Sequence, residues 1–378
     1  SRPARILHCH STFMLGGKEA RAVRLMNMFG AEAEHVVLSA TPNAFAARAA
    51  IDPGIEVAFP ADAPPLHGKP GLRRYADLAD YMDGFDLVLS YNWGAMDIVG
   101  ARRLFGSVRR LTPLIHHEDG FNEDEAKRQK PARAWYRRLM LPAATKLVVP
   151  SQRLERIASE VWKQPAARIE RIPNGIRLPA QAEIDSPLPI PGVEPGSGLL
   201  IGTVAGLRPV KNLSRLVRIF AQGAPSDARL VILGEGPDHD AILAQAARSG
   251  VSSRIILPGF VRDPVRYMAG FDIFALSSDS EQFPISLVEA MACGLPGLMT
   301  DVGDIGGMVA LENRPFILPP SDEAGLVAGL ARLASDPALR RLIGAANRVI
   351  ALRDFAEEAM IARYYNLYWY AMADRLRR

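Results

Sequence analysis

Ten short apolar runs, closed off by polar residues, Gly or Pro and separated by stretches of helical pattern, constrain this chain more than any other feature. Arg5–Cys9, His35–Ser39, Asp86–Tyr91, Leu111–His116 and Lys146–Ser151 fall in the first half. Leu199–Ala205, Arg229–Gly234, Ile255–Gly259, Ile273–Ser277 and Pro296–Thr300 repeat the pattern in the second. Apolar runs of roughly 4–8 residues read as strands covered on both faces. Strands of that kind alternating with helices give parallel sheets in an α/β arrangement. With 378 residues the chain can build two such sheets.

The divide lies between Ile176 and Gly198, where Pro179, Pro187, Pro189, Pro191 and Pro195 with nearby Gly and Ser leave no room for a regular element. This sets domains at 1–175 and 199–353, a linker at 176–198 and a helical tail at 354–378. The tail carries Phe355, Tyr364, Tyr365, Tyr368, Trp369 and Tyr370, an aromatic surface that a return to the first domain would cover. Cys9 and Cys293 sit far apart in apolar stretches, as buried free thiols do in a reducing compartment. No run approaches a bilayer span, and Arg2 and Arg5 precede strand-like sequence instead of a signal-peptide core, so a cytoplasmic location is expected.

Chemistry enters at three places. Gly16-Gly17, after the first strand and before a helix, lets backbone approach a ligand and offers a phosphate the helix's first amides. A plain tight turn is the alternative. Arg208 and Lys211 follow a strand three residues apart, a spacing that can grip a diphosphate, or simply a solvated basic turn. In the stretch Ser277–Gly294, Pro284 suits a first helical position, Ser280–Phe283 form the approach, and the amides around Ile285 and Ser286 face an anion site. Glu281 and Glu289 stand before and within that helix, where carboxylates serve ligand hydroxyls, since they repel phosphate unless cations intervene.

Glu281-x7-Glu289, set in Glu-Gln-Phe-Pro-Ile-Ser-Leu-Val-Glu-Ala-Met-Ala-Cys-Gly-Leu-Pro, resembles the signature of the retaining glycosyltransferases of family four, with the GT-B fold. Arg208-x-x-Lys211-Asn212, Gly16-Gly17, Ile172–Ile176 and Leu233–Pro237 match in the same order. The resemblance implies two Rossmann-like parallel-sheet domains facing a central cleft, the first binding the acceptor and the second a nucleotide diphosphate sugar. The C-terminal helix would return to the first domain. It implies that Gly17 meets the donor diphosphate through its backbone, that Arg208 and Lys211 neutralise it, and that Glu289 binds the ribose. Glu281 would read sugar hydroxyls, with Phe283 on its approach, and backbone near Gly234-Glu235 and Phe260-Val261 would cradle the base. No metal and no further cofactor are expected, because two cations and a helix N-terminus can stabilise the leaving diphosphate.

The family's strand end often carries a His facing the donor sugar; here the text is His116-His117-Glu118-Asp119-Gly120, and Asp119 aligns with that His. Asp119 is the favoured sugar contact and His117 the alternative, while His116 also reads as a hydrogen-bonded strand end. The glycine-rich turn Asp301–Gly307 departs from the family as well. Asn92 and Trp93, after another strand, are candidates for the acceptor, with a core-capping Trp as the alternative.

The first 180 residues carry 26 basic and 19 acidic side chains, the rest 19 and 22. The span 127–146 holds Lys127, Arg128, Lys130, Arg133, Arg137, Arg138 and Lys146 without an acid, interleaved with Trp135, Tyr136, Leu139, Met140 and Leu141. Such a run fits peripheral contact with an anionic membrane, at its inner face, or a solvated helix face. The expected activity is transfer of a hexose to a glycan or lipid-linked acceptor in surface polysaccharide or lipid-linked glycan synthesis, with no nucleic acid as partner. A sugar-nucleotide epimerase or hydrolase of the same fold, or a non-catalytic nucleotide-binding scaffold, stands as the alternative.

Overall fold

The computed structural model describes residues 2–14, 17–69, 71–106, 112–120, 130–194, 196, 198–281 and 283–376. They form two compact units, residues 1–173 with 360–378, and residues 174–359.

Unit 1 contains β1 (Ala4–His10), β2 (Ala33–Ser39), β3 (Val57–Ala58), β4 (Leu87–Tyr91), β5 (Leu114–His117), β6 (Lys146–Val149) and β7 (Ile169–Arg171). Its helices are α1 (Gly17–Phe29), α2 (Leu72–Met82), α3 (Met96–Phe105), α4 (Pro131–Met140) and α5 (Gln152–Glu160). The sheet is parallel, in the order β3-β2-β1-β4-β5-β6-β7. Unit 2 starts with a short helix, α6 (Gln181–Asp185), and has β8 (Leu200–Val204), β9 (Arg229–Leu233), β10 (Ile255–Gly259), β11 (Ile273–Leu276), β12 (Gly297–Thr300) and β13 (Ile317–Leu318). They run in the order β10-β9-β8-β11-β12-β13. Helices α7 (Leu213–Gly223), α8 (His239–Arg248), α9 (Val265–Met268), α10 (Ile285–Ala292), α11 (Ile305–Met308), α12 (Glu323–Ser335) and α13 (Pro337–Asp354) accompany them. The last helix, α14 (Glu357–Leu376), runs on into unit 1. These are the two Rossmann-like sheets expected of the GT-B class, with the C-terminal helix on the first.

Alternation explains the unbroken apolar runs. Leu7, Cys9, Val88 and Leu114 enter one core layer of unit 1, while Ile6, Leu87, Leu89 and Ile115 enter the other. Unit 2 divides likewise, with Ile201, Leu230, Ile232 and Ile273 on one face and Val231, Leu233, Phe274 and Leu276 on the other. Successive strand positions can therefore both be apolar, since each face has a core to enter. From α14, Met360, Ile361, Tyr364, Tyr368 and Met372 join the second layer of unit 1, a spacing of three and four residues that keeps one helical face inward.

Two expectations are corrected here. The stretch 176–198 is not wholly irregular: between Pro179 and Pro187 the chain forms α6, and the Glu183 carboxylate accepts the Ala180 N–H at 2.7 Å. The prolines crowd the ends of this stretch and leave Gln-Ala-Glu free to turn. Strand β5 begins at Leu114, not Leu111, because Pro113 has no N–H for the ladder; its carbonyl accepts from Val88. Leu111 itself lies outside the described residues.

In both sheets the strand order reverses once, between β1 and β4 and between β8 and β11. Ligands of open α/β sheets bind at the carboxyl ends of the strands beside such a reversal.

Candidate functional site

In unit 2 the loops after β8 and β11 are the ones that carry the expected residues. After β8 the chain passes Arg208, which is exposed, makes a tight turn over Pro209–Lys211, and enters α7 through Asn212 in a left-handed conformation (φ 44°). The Asn212 side chain accepts the Arg215 N–H at 3.3 Å and caps the helix. The β11 loop is tied to this turn: Ser277 Oγ donates to the carbonyls of Lys211 (3.1 Å) and Asn212 (3.0 Å), and Arg215 pairs with Asp279 at 2.7 Å.

Lys211 Nζ lies 2.6 Å from Glu281 Oε1, and Ser278 Oγ donates to the same oxygen at 2.5 Å. Glu281 is thus held through Oε1 by a cation and a hydroxyl. Pro284 occupies the N-cap of α10, not its first helical position, and the helix starts at Ile285. The Leu287 N–H already pairs with the Pro284 carbonyl at 3.0 Å, so the amides ahead of it, at Ile285 and Ser286, form the open end of the helix. Phe283 packs edge-on against Phe355, 5.9 Å between centroids. Ile285 is exposed, and Ser286 and Glu289 are half-buried. Burial first, and the negative charge of Asp263 second, push the Glu289 carboxyl up to about 7.

The loops after β9 and β10 close the group. Gly234 has φ +145°, and a Cβ there would stand 1.9 Å from the Ala205 carbonyl oxygen, so only glycine lets these loops cross. The Glu235 carbonyl accepts from Leu207 at 2.9 Å, and its carboxylate accepts the Phe260 N–H at 3.3 Å. Phe260 is exposed and Val261 half-buried. Arg208, Lys211, Gly234, Glu235, Phe260, Val261, Glu281 and the start of α10 thus lie on the loops at one end of one sheet.

In unit 1 the loop after β1 contains Gly16, which lies outside the described residues, and Gly17 opens α1. Lys18 Nζ donates to the Thr12 carbonyl at 3.2 Å, pairs with Glu19 and lies 3.4 Å from His10 Nδ1. Asn92, at φ 57°, joins the ends of β4 and β5. Its N–H donates to the His117 carbonyl at 2.7 Å, and its Oδ1 accepts the Asp119 N–H at 2.8 Å.

His117 is corrected as a sugar contact. It is fully buried, Nδ1 donates to the Ser90 carbonyl at 3.0 Å, and Nε2 accepts from Tyr368 Oη at 2.7 Å, which leaves neither nitrogen for a ligand. Burial and the charge of Arg21 push its pKa down to about 3, so the ring is neutral. His116 is structural too, bonded to Ser90 Oγ at 2.7 Å. Asp119 accepts from both Arg21 Nη1 (2.7 Å) and Nη2 (3.1 Å). Burial pushes this carboxyl up, but the charge and hydrogen bonds of Arg21 outweigh it and hold Asp119 below the usual carboxylate range.

Trp93 is half-buried, not exposed. The guanidinium carbons of Arg133 and Arg137 each lie 5.0 Å from its ring, and Tyr136 meets it edge-on. The basic run is corrected as well: Arg137 is buried against Glu118 at 2.6 Å, and Lys146 donates to the Ala167 carbonyl. Lys130, Trp135, Arg138 and Leu139 form its exposed part, while Lys127 and Arg128 lie outside the described residues.

Sequence reading missed Arg21, Ser278 and Tyr368. Arg21 carried a signal: with Leu25 and Phe29 it completes a stripe at intervals of four, and a charge on an apolar stripe demands a buried partner.

Residues 16–175 match the family described as glycosyl transferase 4-like domain, and residues 191–349 the family described as glycosyl transferases group 1. N-acetyl-alpha-D-glucosaminyl L-malate synthase of Bacillus anthracis is 27% identical over 184 residues, 48% of each chain. N-acetylgalactosamine-N,N'-diacetylbacillosaminyl-diphospho-undecaprenol 4-alpha-N-acetylgalactosaminyltransferase of Campylobacter jejuni is 32% identical over 133 residues, 35% of this chain and 36% of that one. The chain therefore spans half or less of the length of these curated relatives. Anabaena HepE, solved with UDP, superposes with a TM-score of 0.69 at 18% identity, covering 96% of this chain and 99% of the other. HepE has also been solved with UDP-glucose. At that identity the likeness is one of fold.

Proposed function

The chain belongs to the glycosyltransferases of family four, and from that premise we propose that it moves a hexose from a nucleoside diphosphate sugar to an acceptor hydroxyl, with retention at the anomeric carbon and without a bound metal. The observation that carries this reading is the convergence of Lys211, Glu281 and the start of α10 on loops flanking the β8/β11 reversal. Arg208, Lys211 and the first amides of α10 receive the diphosphate, and their charge stabilises it as it leaves. Glu289 accepts from the ribose hydroxyls, Glu281 and Asp119 from hydroxyls of the sugar, and backbone at Gly234-Glu235 and Phe260-Val261 lines the base. Gly17, at the start of α1, is the proposed backbone contact for the diphosphate, and Asn92 and Trp93 are the proposed acceptor contacts.

HepE binds UDP and UDP-glucose, which makes a uridine donor the first to test. The Campylobacter relative is named for a diphospho-undecaprenol acceptor. A lipid-linked acceptor of that class, in surface polysaccharide or lipid-linked glycan synthesis, would bring this chain to a membrane. Among the described residues no helix is long and apolar enough to cross one. The exposed face of α4 is the part suited to lie on an anionic surface.

Incubation with a panel of UDP-hexoses, with and without undecaprenyl-diphosphate-linked sugars, tests the proposal. The expected result is UDP release with the α-sugar from one donor, accelerated by an acceptor. Release of an epimer, or binding of every donor without turnover, overturns it.

A further inference from the structure

Asp119 is held from three elements of unit 1. Both carboxylate oxygens accept from the buried Arg21 on α1, and Asn92 at the end of β4 takes its N–H. On α14 the Tyr364 ring lies 4.7 Å from the Arg21 guanidinium, and Tyr368, one turn on, donates to His117 at 2.7 Å. A bidentate Arg fixes the plane of a carboxylate as well as its charge. An ionised carboxylate has about four lone-pair sites, of which Arg21 takes two. The Asp119 side chain is 17% exposed, so the remaining sites can be reached by a ligand.

We propose that Arg21 is a positioning residue for glycosyl transfer: it holds the Asp119 carboxylate in one plane, as an anion, with its unused lone pairs turned to hydroxyls of the donor sugar, and Tyr364 on α14 keeps Arg21 in place. The inference rests on the reading that Asp119 contacts the donor sugar. The ionisable groups around Asp119 are Arg21 and Lys18 on α1, His117 on β5, Tyr91 on β4 and Tyr364 on α14. His117 is neutral and the tyrosines hold their protons, so Arg21 is the cation that bonds it directly.

The test is the pH profile of UDP-glucose hydrolysis in Arg21→Met, Arg21→Lys and Tyr364→Leu. In Arg21→Met the acid limb of kcat/KM should move up by about one pH unit or more, so that activity relative to wild type falls progressively as pH drops from 8 toward 5. UDP affinity by calorimetry should not change. Arg21→Lys, which keeps the charge and loses the fork, should keep the acid limb and lose part of kcat. If Arg21→Met does not fold, Tyr364→Leu should show a smaller shift of the same sign. A loss of equal size at every pH, or a wild-type profile, overturns the inference.

Asp119→Asn separates this inference from the reading beneath it. Wild-type hydrolysis in Asp119→Asn defeats the assignment of Asp119, whereas impaired hydrolysis there with a wild-type profile in Arg21→Met defeats the positioning role alone. If wild-type protein does not hydrolyse UDP-glucose, the Asp119 carboxyl itself decides. Followed by 13C NMR in aspartate-labelled protein, and identified by its loss in Asp119→Asn, it should titrate higher in Arg21→Met than in wild type; equal titration overturns the inference.

Discussion

Glu289 is kept in surroundings that work against its charge. Its folded pKa of about 7 lies above the unfolded value near 4.3, so the folded state holds an extra proton between those values and its stability falls as pH rises through that window. Glu289→Gln should therefore raise the unfolding midpoint more at pH 8 than at pH 5, as thermal denaturation would show. If the carboxylate accepts from ribose hydroxyls, UDP affinity should climb between pH 6 and 8 more steeply in wild type than in Glu289→Gln. Arg208→Ala and Lys211→Ala should each weaken UDP binding by about 1.5–3 kcal/mol by calorimetry, the value of a charge-assisted contact. Only Lys211→Ala also leaves the buried Glu281 without its cation, so it alone should lower the melting temperature. Lys211 and Glu281 could be singled out in the sequence because each sits next to a strand end with turn chemistry. The partners of His117 and Asp119 could not, because Tyr368 and Arg21 stand 251 and 98 residues away in the chain.

Helix α4 shows how far periodicity carries and where it stops. The sequence marks it as basic and amphipathic, but whether Arg137 or Arg138 faces outward depends on Glu118, which lies in another loop. The two arginines should behave oppositely on replacement. Arg137→Ala breaks a buried pair and should cost about 3–5 kcal/mol in denaturant unfolding. Arg138→Ala should stay within about 0.5 kcal/mol. Trp135→Ala/Arg138→Glu should release the protein from anionic vesicles in co-sedimentation at low salt, with neutral vesicles binding neither form. Equal recovery in the supernatant with both lipids would remove α4 as a membrane contact. Ten strands were readable because each carries a short apolar run closed off by polar residues, Gly or Pro. The edge strands β3, β7 and β13 were not, since two or three residues hold too little pattern.

The two units differ in how they meet acid. Unit 1 buries His8, His10, His35 and His117 in neutral form, with His35 pushed down to about 4 and His117 to about 3, chiefly by burial. In the unfolded chain these rings protonate near pH 6.5, so their contribution to stability is present above that value and is lost progressively as pH falls toward 3–4. Unit 2 holds only His239, which is exposed, and gains from the protonation of Glu289 as pH falls toward 5. Hydrogen exchange at pH 7 and pH 5 should show protection falling in β1, β2 and β5 while β8 and β11 hold theirs. Equal loss in both sheets would contradict this.

Helix α14 completes the core of unit 1 yet follows the whole of unit 2 in the chain. A ribosome making this protein therefore releases the residues of the first sheet long before the helix that covers Leu25, Phe29 and Ile115 has been synthesised, while unit 2 can close as soon as its own last helix emerges. The second unit in the sequence is thus the first able to finish folding. For the time it takes to translate residues 174–359, the nascent first sheet carries an open apolar face, and chaperones have their reason to bind there.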